Sequence, residues 1–307
     1  MKQFLIVVSA VVLLFAGCSK ELEKSSDNRK DLVEIDVTAS LPNAALISRA
    51  VWDNDGKAAG VNHWIMEIYD NGGILYNRQE KDNQSGLTNT FKATLVKNQT
   101  YRFVFWADTK GSYSTASLKS IKATDKISGK DSRDAFFCMK EYRSTASGSV
   151  SAELYRPFGQ LNIVTLDAGK VYEEIGNAAE YAKFEPKDIK LKAKLYSEFN
   201  ALTGALSGKS DVTLTEGNCY GKGNYSYASA SDSTTIFMDY VFVGTEQELY
   251  DVDFEFKSNG EKIAYSFASI PMQRNFRTNV FGNLMSGDAE WNVVIKPEWN
   301  EPDFTEQ

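Results

Sequence analysis

The sequence predicts an all-β protein with two tandem β-sandwich domains, and three observations support this fold class. Short stretches that alternate apolar and polar residues recur along the chain, a period typical of half-buried strands. Turn-forming stretches such as 71–73 (NGG) and 258–260 (SNG) separate them. A sustained helical period is missing, although residues 170–181 are compatible with one short helix.

The first half is predicted to contain four strands. They cover residues 32–38, 62–69, 74–76 and 101–107. In the first strand, Val33, Ile35 and Val37 share one face while acidic residues occupy the other, as expected for a strand with one side in water. The turn at 71–73 joins the second and third strands into a hairpin. The fourth strand is almost entirely apolar, which indicates a central position in its sheet.

The second half is predicted to contain six more strands. They cover residues 161–165, 189–195, 235–243, 250–256, 263–270 and 291–295. A stretch of small polar residues, 144–149, separates the two sets of strands. We therefore expect an N-terminal domain over residues 31–150, a C-terminal domain over 151–300 and a short tail over 301–307.

The first residues have the pattern of a lipoprotein signal peptide. A short basic start precedes thirteen apolar or small residues, 4–16, a run too short for a membrane-spanning helix of about 20 residues. The run ends in a lipobox, FAGC, with phenylalanine where leucine is usual. We therefore expect a signal peptide over 1–17, cleavage between Gly17 and Cys18, and acyl chains on Cys18 that hold the protein to a membrane. An ordinary secretory peptide with an incidental cysteine is the alternative.

Residues 18–30 are polar and charged, so we expect them to form a lipidated tether rather than part of a packed domain. The 307-residue chain carries a formal charge of −7 and has no basic patch, which argues against nucleic acid as a partner. Cys138 and Cys219 are compatible with a disulfide or with two separate thiols, and their spacing does not decide between them.

No catalytic residues, metal site or cofactor are expected. The single histidine, His63, is interpreted as an exposed residue, because Glu67 on the same strand face is about 13 Å away. Trp64 and Trp106 share the register of apolar neighbours, and core packing is their expected role. A pair of glycosidase carboxylates cannot be identified from the sequence.

Three segments resemble fimbrillin-like lipoproteins, the type V pilin class. They are residues 156–161 (RPFGQL), 237–242 (FMDYVF) and 270–284 (IPMQRNFRTNVFGNL). The last is the most specific, with a proline that begins a strand, then an asparagine–aromatic–arginine–threonine–asparagine run. The lipobox and the two β-rich halves fit the same family.

The resemblance implies two transthyretin-like β-sandwiches in a lipoprotein at the outer membrane and cell surface. It also implies cleavage by a trypsin-like protease in the loop after the first strand, followed by strand addition between fimbrial subunits. Arg49 lies in that loop here, so the bond between Arg49 and Ala50 is the candidate processing site. An uncut loop remains the alternative, since accessory and tip subunits of the family can stay uncut.

The expected function is therefore that of a surface-anchored fimbrial or adhesin structural subunit, in an accessory or tip position. Its expected partners are other fimbrial subunits, a possible host or glycan ligand, and the membrane through the lipid on Cys18. A surface glycan-binding lipoprotein is the alternative. Exposed coplanar aromatic side chains would favour that alternative, and a buried, removable first strand would favour the fimbrial subunit.

Overall fold

The computed structural model describes residues 31–42, 61–84, 86–124, 133–219 and 233–296. These residues form strands with two short helices, so the predicted all-β fold is confirmed. No helix in the described ranges is both long and apolar enough to cross a membrane.

The strands of the first half follow the predicted order and add several that sequence patterns did not identify. They are β1 (Leu32–Ser40), β2 (His63–Asp70), β3 (Leu75–Lys81), β4 (Thr88–Val96), β5 (Thr100–Asp108), β6 (Tyr113–Ser114), β7 (Lys122–Ala123), β8 (Ala135–Arg143) and β9 (Gly148–Glu153).

The second half begins with a strand, contains both helices and then continues as strands. Its elements are β10 (Phe158–Thr165), α1 (Ala168–Ile175), α2 (Ala178–Phe184), β11 (Lys187–Leu195), β12 (Glu198–Phe199), β13 (Leu206–Ser207), β14 (Ser210–Asn218), β15 (Thr234–Phe242), β16 (Glu248–Ser258), β17 (Glu261–Met272), β18 (Arg277–Asn283) and β19 (Asp288–Lys296).

The main sheets of the two halves have the same topology. In the first half, β4-β1-β9 forms one sheet and β3-β2-β5-β8 the other. In the second half, the matching sheets are β15-β10-β18-β19 and β14-β11-β16-β17. Each half begins with a strand, β1 or β10, that pairs antiparallel on one side and parallel on the other. The second half differs by one extra strand, β19, at the edge beside β18.

A hydrophobic core fills the space between the two sheets of each half. In the first half, Ile35 and Val37 pack with Trp64 and Phe103 of the facing sheet. In the second half, Leu161 and Ile163 pack with Leu191 and Phe254 in the same way. The alternating apolar positions of the strands supply both cores, since successive side chains point to opposite faces.

A third apolar cluster joins the two halves. Trp106 and Phe137 from the first half pack with Phe158, Phe199 and Phe242 from the second. Almost every residue of β2, β5, β10 and β15 is buried, including polar ones such as Glu67, Asn162 and Asp239. The predicted central position of 101–107 is confirmed, because β5 lies between β2 and β8.

Two local predictions need correction. The single helix expected over 170–181 is two helices, because Gly176 ends α1 in the left-handed conformation (φ 64°) and the Asn177 side chain caps α2. Pro271 does not begin a strand but is the second-last residue of β17. It is tolerated there because β17 is an edge strand that needs hydrogen bonds on one side only.

Candidate functional site

The lipobox and the candidate processing site lie outside the described residues. This applies to Gly17, Cys18, Arg49 and Ala50, to the tether and to the tail. What the structure describes is the strand between the two sites, β1, and the groove that holds it.

Strand β1 is buried on one face and exposed on the other. Val33, Ile35, Val37 and Ala39 point into the first core, and Ile35 and Val37 are no more than 1% exposed. The intervening residues, including Glu34, face solvent. This burial follows the predicted alternation residue by residue, since a strand with this pattern has a single orientation that hides its apolar side chains.

Both edges of β1 are paired. The strand runs antiparallel to β4 from Leu32, opposite Val96, to Ser40, opposite Thr88. On the other side it runs parallel to β9, and the amide of Leu154 donates to the carbonyl of Ser40 at 2.8 Å. If β1 were withdrawn, β4 and β9 would each expose an unpaired edge, and the core would be open between them.

The equivalent strand of the second half is less accessible. All residues of β10 are buried, and Phe158 at its start belongs to the joining cluster. The outer face of β1 is exposed, and its residues do not belong to the joining cluster. Strand β1 therefore does not contribute to the apolar cluster that joins the halves.

The interpretation of His63 as an exposed residue was wrong. His63 is 3% exposed, and its Nδ1 lies 2.6 Å from Oδ1 of Asp108, a fully buried residue directly opposite on β5. Its Nε2 lies 2.9 Å from Oε1 of Glu80 and 3.8 Å from Oδ1 of Asp82. The sequence argument considered neighbours on one strand only, whereas these partners come from adjacent strands.

The charges around His63 change the pKa values of this group. Burial lowers the pKa of His63, but its hydrogen bonds to Asp108 and Glu80 outweigh burial and leave the pKa raised. Burial raises the pKa of Asp108 despite the hydrogen bond to His63. Burial opposes, but does not prevent, a lowered pKa of Glu80, which Arg78 and His63 cause together. The Lys110 ammonium lowers the pKa of the partly exposed Asp82 carboxyl.

The aromatic side chains do not form a flat exposed platform in the described part of the chain. Trp64 and Trp106 are buried as predicted. The exposed rings of Tyr76, Tyr155 and Trp291 meet their aromatic neighbours at 61°, 59° and 72°, respectively. Trp52 and Trp299 lie outside the described residues.

A cavity of about 190 Å³ lies where the two halves meet. Its lining includes Tyr113, Tyr196 and Tyr240 together with Arg133, whose guanidinium is paired with Asp239 at 2.7 Å. Pockets for small-molecule ligands are usually about 300–1,000 Å³. This cavity is below that range and gives little support to a ligand pocket.

Cys138 and Cys219 do not form a disulfide with each other. Cys138 is half-buried on β8, and Cys219 is buried after β14 in the second core. Of the two alternatives, the structure therefore has separate thiols, and burial raises the pKa of the Cys138 thiol.

Comparison with known proteins places the chain in a family and identifies its fold. The model of the family DUF6562, a family of unknown function, matches residues 27–307. No curated protein matches the sequence.

Several solved structures have a similar fold. A candidate polysaccharide-binding protein (DUF1812) from Bacteroides thetaiotaomicron has a TM-score of 0.52 at 11% identity, covering 87% of this chain and 96% of that one. A candidate adhesin from the same species has a TM-score of 0.50 at 12% identity, covering 87% and 97%. The fimbrial anchor protein Mfa2 from Porphyromonas gingivalis has a TM-score of 0.44 at 12% identity, covering 86% and 96%. At these identities the similarity establishes the fold alone.

Proposed function

The chain belongs to DUF6562, a family of unknown function, and from this premise we propose that it is a non-catalytic fimbrial or adhesin subunit anchored at the cell surface. The observation that carries the proposal is the position of β1. It is a central strand with one face in the core, and its other face is in water. The sequence places the lipobox before this strand and a candidate cleavage site after it.

The assembly step in this proposal is strand exchange. Removal of β1 would leave main-chain groups of β4 and β9 unpaired and would open the core around Phe91 and Phe103. A strand from another subunit with apolar residues at alternate positions would restore both. Main-chain hydrogen bonds would supply affinity, and the alternating side chains would set the register.

Processing at Arg49 would make the exchange possible. Cleavage between Arg49 and Ala50 would separate β1, together with the lipid on Cys18, from the rest of the chain. The lipid would hold the uncut protein in the outer membrane, since acylated cysteine provides anchoring without a membrane-spanning helix. A subunit that stays uncut would remain anchored and could end a fimbria at the membrane.

A shaft subunit must also supply a strand to another subunit. The C-terminal residues are poorly suited to this, which favours an accessory or tip position over a shaft position. The residues that follow β19 include Pro297 and Pro302, which cannot donate hydrogen bonds to a sheet. Strand β19 itself pairs only with β18 among the described strands, so it is the alternative donor. Its release would cost the pairing of residues 288–296 with β18.

The size of the protein after cleavage tests this proposal. Purified protein cut at Arg49 is expected to bind one other fimbrial subunit without forming long polymers. The Arg49→Gln variant, which cannot be cut there, should stay monomeric. Denaturant-resistant ladders that disappear when residues 291–307 are deleted would instead identify a shaft subunit. Failure of the cut protein to associate with any fimbrial subunit would contradict strand exchange.

A surface glycan-binding lipoprotein is the second candidate, and its support is the fold similarity to the candidate polysaccharide-binding protein. The rings of Tyr76, Tyr155 and Trp291 are each inclined to a buried aromatic neighbour and form no coplanar exposed pair with it, which argues against this candidate. A glycan array decides between the two. We expect the alanine variants of these three side chains to bind glycans no differently from the unaltered protein. If the unaltered protein binds a glycan and the alanine variants do not, the second candidate is favoured.

A further inference from the structure

The end of the β3-β2-β5-β8 sheet brings three carboxylate side chains around one imidazole. His63, at the start of β2, lies opposite Asp108, at the end of β5. Asp82 immediately follows β3, and Glu80 lies within it. Side-chain atoms of His63, Glu80 and Asp82 all lie within 4.8 Å of one another.

The hydrogen bond to Asp108 determines how His63 presents its second nitrogen. Nδ1 lies 2.6 Å from Oδ1 of Asp108, and an N–H on Nδ1 that donates to this carboxylate leaves the lone pair of a neutral imidazole on Nε2. Nε2 lies 2.9 Å from Oε1 of Glu80 and 3.8 Å from Oδ1 of Asp82, so it donates to Glu80 when it is protonated and can bind a cation when it is not. A carboxylate that orients a histidine in this way is the usual outer partner of a metal-binding histidine.

The two other carboxylates each turn one oxygen towards this nitrogen. Their outer oxygens are held by cations, Oε2 of Glu80 by Arg78 at 3.0 Å and Oδ2 of Asp82 by Lys110. Their inner oxygens, Oε1 and Oδ1, face Nε2 of His63. Oδ1 of Asp82 is buried and has no hydrogen-bond partner, so the site contains an unsatisfied acceptor.

The spacing of these atoms fits a small divalent cation. Bonds of about 2.0–2.2 Å in a tetrahedral zinc site place neighbouring ligand atoms about 3.3 Å apart. The distances from Nε2 to the two carboxylate oxygens, 2.9 and 3.8 Å, lie on either side of this value. Shifts of a few tenths of an ångström in two partly exposed side chains would equalise them.

We propose that His63, Glu80 and Asp82 bind one divalent cation of the zinc class, with Asp108 orienting the histidine. One nitrogen and two oxygen ligands suit Zn²⁺, whereas Ca²⁺ takes six to eight oxygens. The side chains of Glu80 and Asp82 are 40% and 37% exposed, so a cation can reach them from solvent. This site is independent of the proposed strand exchange.

Zinc titration of the protein, purified without a histidine tag, tests the site. We expect one equivalent of Zn²⁺ by calorimetry, and millimolar Ca²⁺ should not displace it. The Asp82→Asn variant should bind Zn²⁺ at least about tenfold more weakly. The matched control is Asp188→Asn, which alters an exposed carboxylate in the other half that is paired with Lys257, and it should bind as the unaltered protein does.

Nitrogen NMR provides a readout that does not depend on a variant. His63 is the only histidine, so ¹⁵N-histidine labelling gives one ring to follow. Zinc should shift Nε2 strongly while Nδ1 stays protonated. If both nitrogens remain protonated at saturating zinc, the cluster is an imidazolium held by carboxylates and the proposal is wrong. Zinc binding that Asp82→Asn leaves unchanged also overturns it.

Discussion

At the scale of single residues, the ion pair between Arg156 and Asp134 combines strong contacts with deep burial. Nε and Nη2 of Arg156 bond the two oxygens of Asp134 at 2.7 and 2.6 Å, and the guanidinium lies over the Phe136 ring. Burial raises the pKa of Asp134, and Arg156 offsets that rise only in part. A buried pair of this kind depends on both partners being present.

Replacing Arg156 by methionine should destabilise the protein by about 3–5 kcal/mol at pH 7, because it leaves the Asp134 charge buried without a partner. The pKa of Asp134 should rise further in the variant. A carboxyl group whose pKa is higher in the folded state destabilises that state less as the pH falls and the group becomes protonated. The stability deficit of the variant should therefore narrow as the pH falls towards 3.8. Urea unfolding between pH 4 and 7 measures this difference. A deficit that does not change with pH, or one that persists in Arg156→Met/Asp134→Leu, would contradict the explanation.

At the scale of elements, the hairpin between β16 and β17 shows how a turn fixes register. Ser258 pairs with Glu261 across a two-residue turn in which Asn259 and Gly260 have φ values of 48° and 81°. This is the conformation for which asparagine–glycine is favoured. No atom lies within 4 Å of a Cβ added to Gly260, so the effect of a substitution there comes from the backbone.

The Gly260→Ala variant should therefore lose about 1–2 kcal/mol of stability, the cost of a left-handed conformation for a residue with a Cβ. Gly217, on β14, is the matched control, because a Cβ there also meets nothing within 4 Å and its φ is not in the left-handed region. Gly217→Ala should leave stability unchanged or slightly raised. Equal losses in the two variants by urea unfolding would show that the backbone conformation at Gly260 is not the cause.

Elements with a local signal could be predicted from the sequence, but their long-range partners could not. Alternation identified β1, and the turn at 71–73 identified the hairpin of β2 with β3. The parallel partner of β1 is β9, more than 100 residues away, and no local pattern encodes that pairing. The environment of His63 was missed for the same reason. Pairing β2 with β5 in antiparallel register would have placed Asp108 beside it.

At the scale of the whole molecule, the cluster between the halves should make them unfold together. Phe199 is central to it, with ring centroids 4.6 Å from Phe137 and 5.7 Å from Phe242. Arg274 adds to the junction by lying over Phe199 while bonding the carbonyl oxygens of Val243 and Gly204. Burial lowers the pKa of this arginine.

The Phe199→Ala variant should lose about 3–5 kcal/mol and should separate a single thermal transition into two. Calorimetry measures both effects. Leu249, an exposed residue of β16, is the control, and Leu249→Ala should leave the trace unchanged. One unshifted transition in Phe199→Ala would mean that Phe199 does not supply the coupling between the halves. Two transitions would support the proposed division into domains over 31–150 and 151–300.

The candidate sites at Cys18 and Arg49 remain predictions, because both rest on local sequence patterns. The repeated topology of the halves could not be predicted from the sequence, because β1 and β10 pair with strands that are distant in the chain. Strand β1 combines a feature that the local sequence predicts with one that depends on distant strands. The alternation of β1 was predicted from the sequence, and its pairing between β4 and β9 is the structural basis of the proposed exchange.

Uptake of a labelled peptide of residues 31–41 tests strand exchange most directly. Protein cut at Arg49 should release β1 and bind the peptide in its place, and the same peptide with Ile35→Asp should not bind, because Ile35 enters the core. Uncut protein should bind neither peptide, since its own β1 remains attached. Equal uptake by cut and uncut protein, or no uptake by the cut protein, would contradict the proposal that β1 is a replaceable strand.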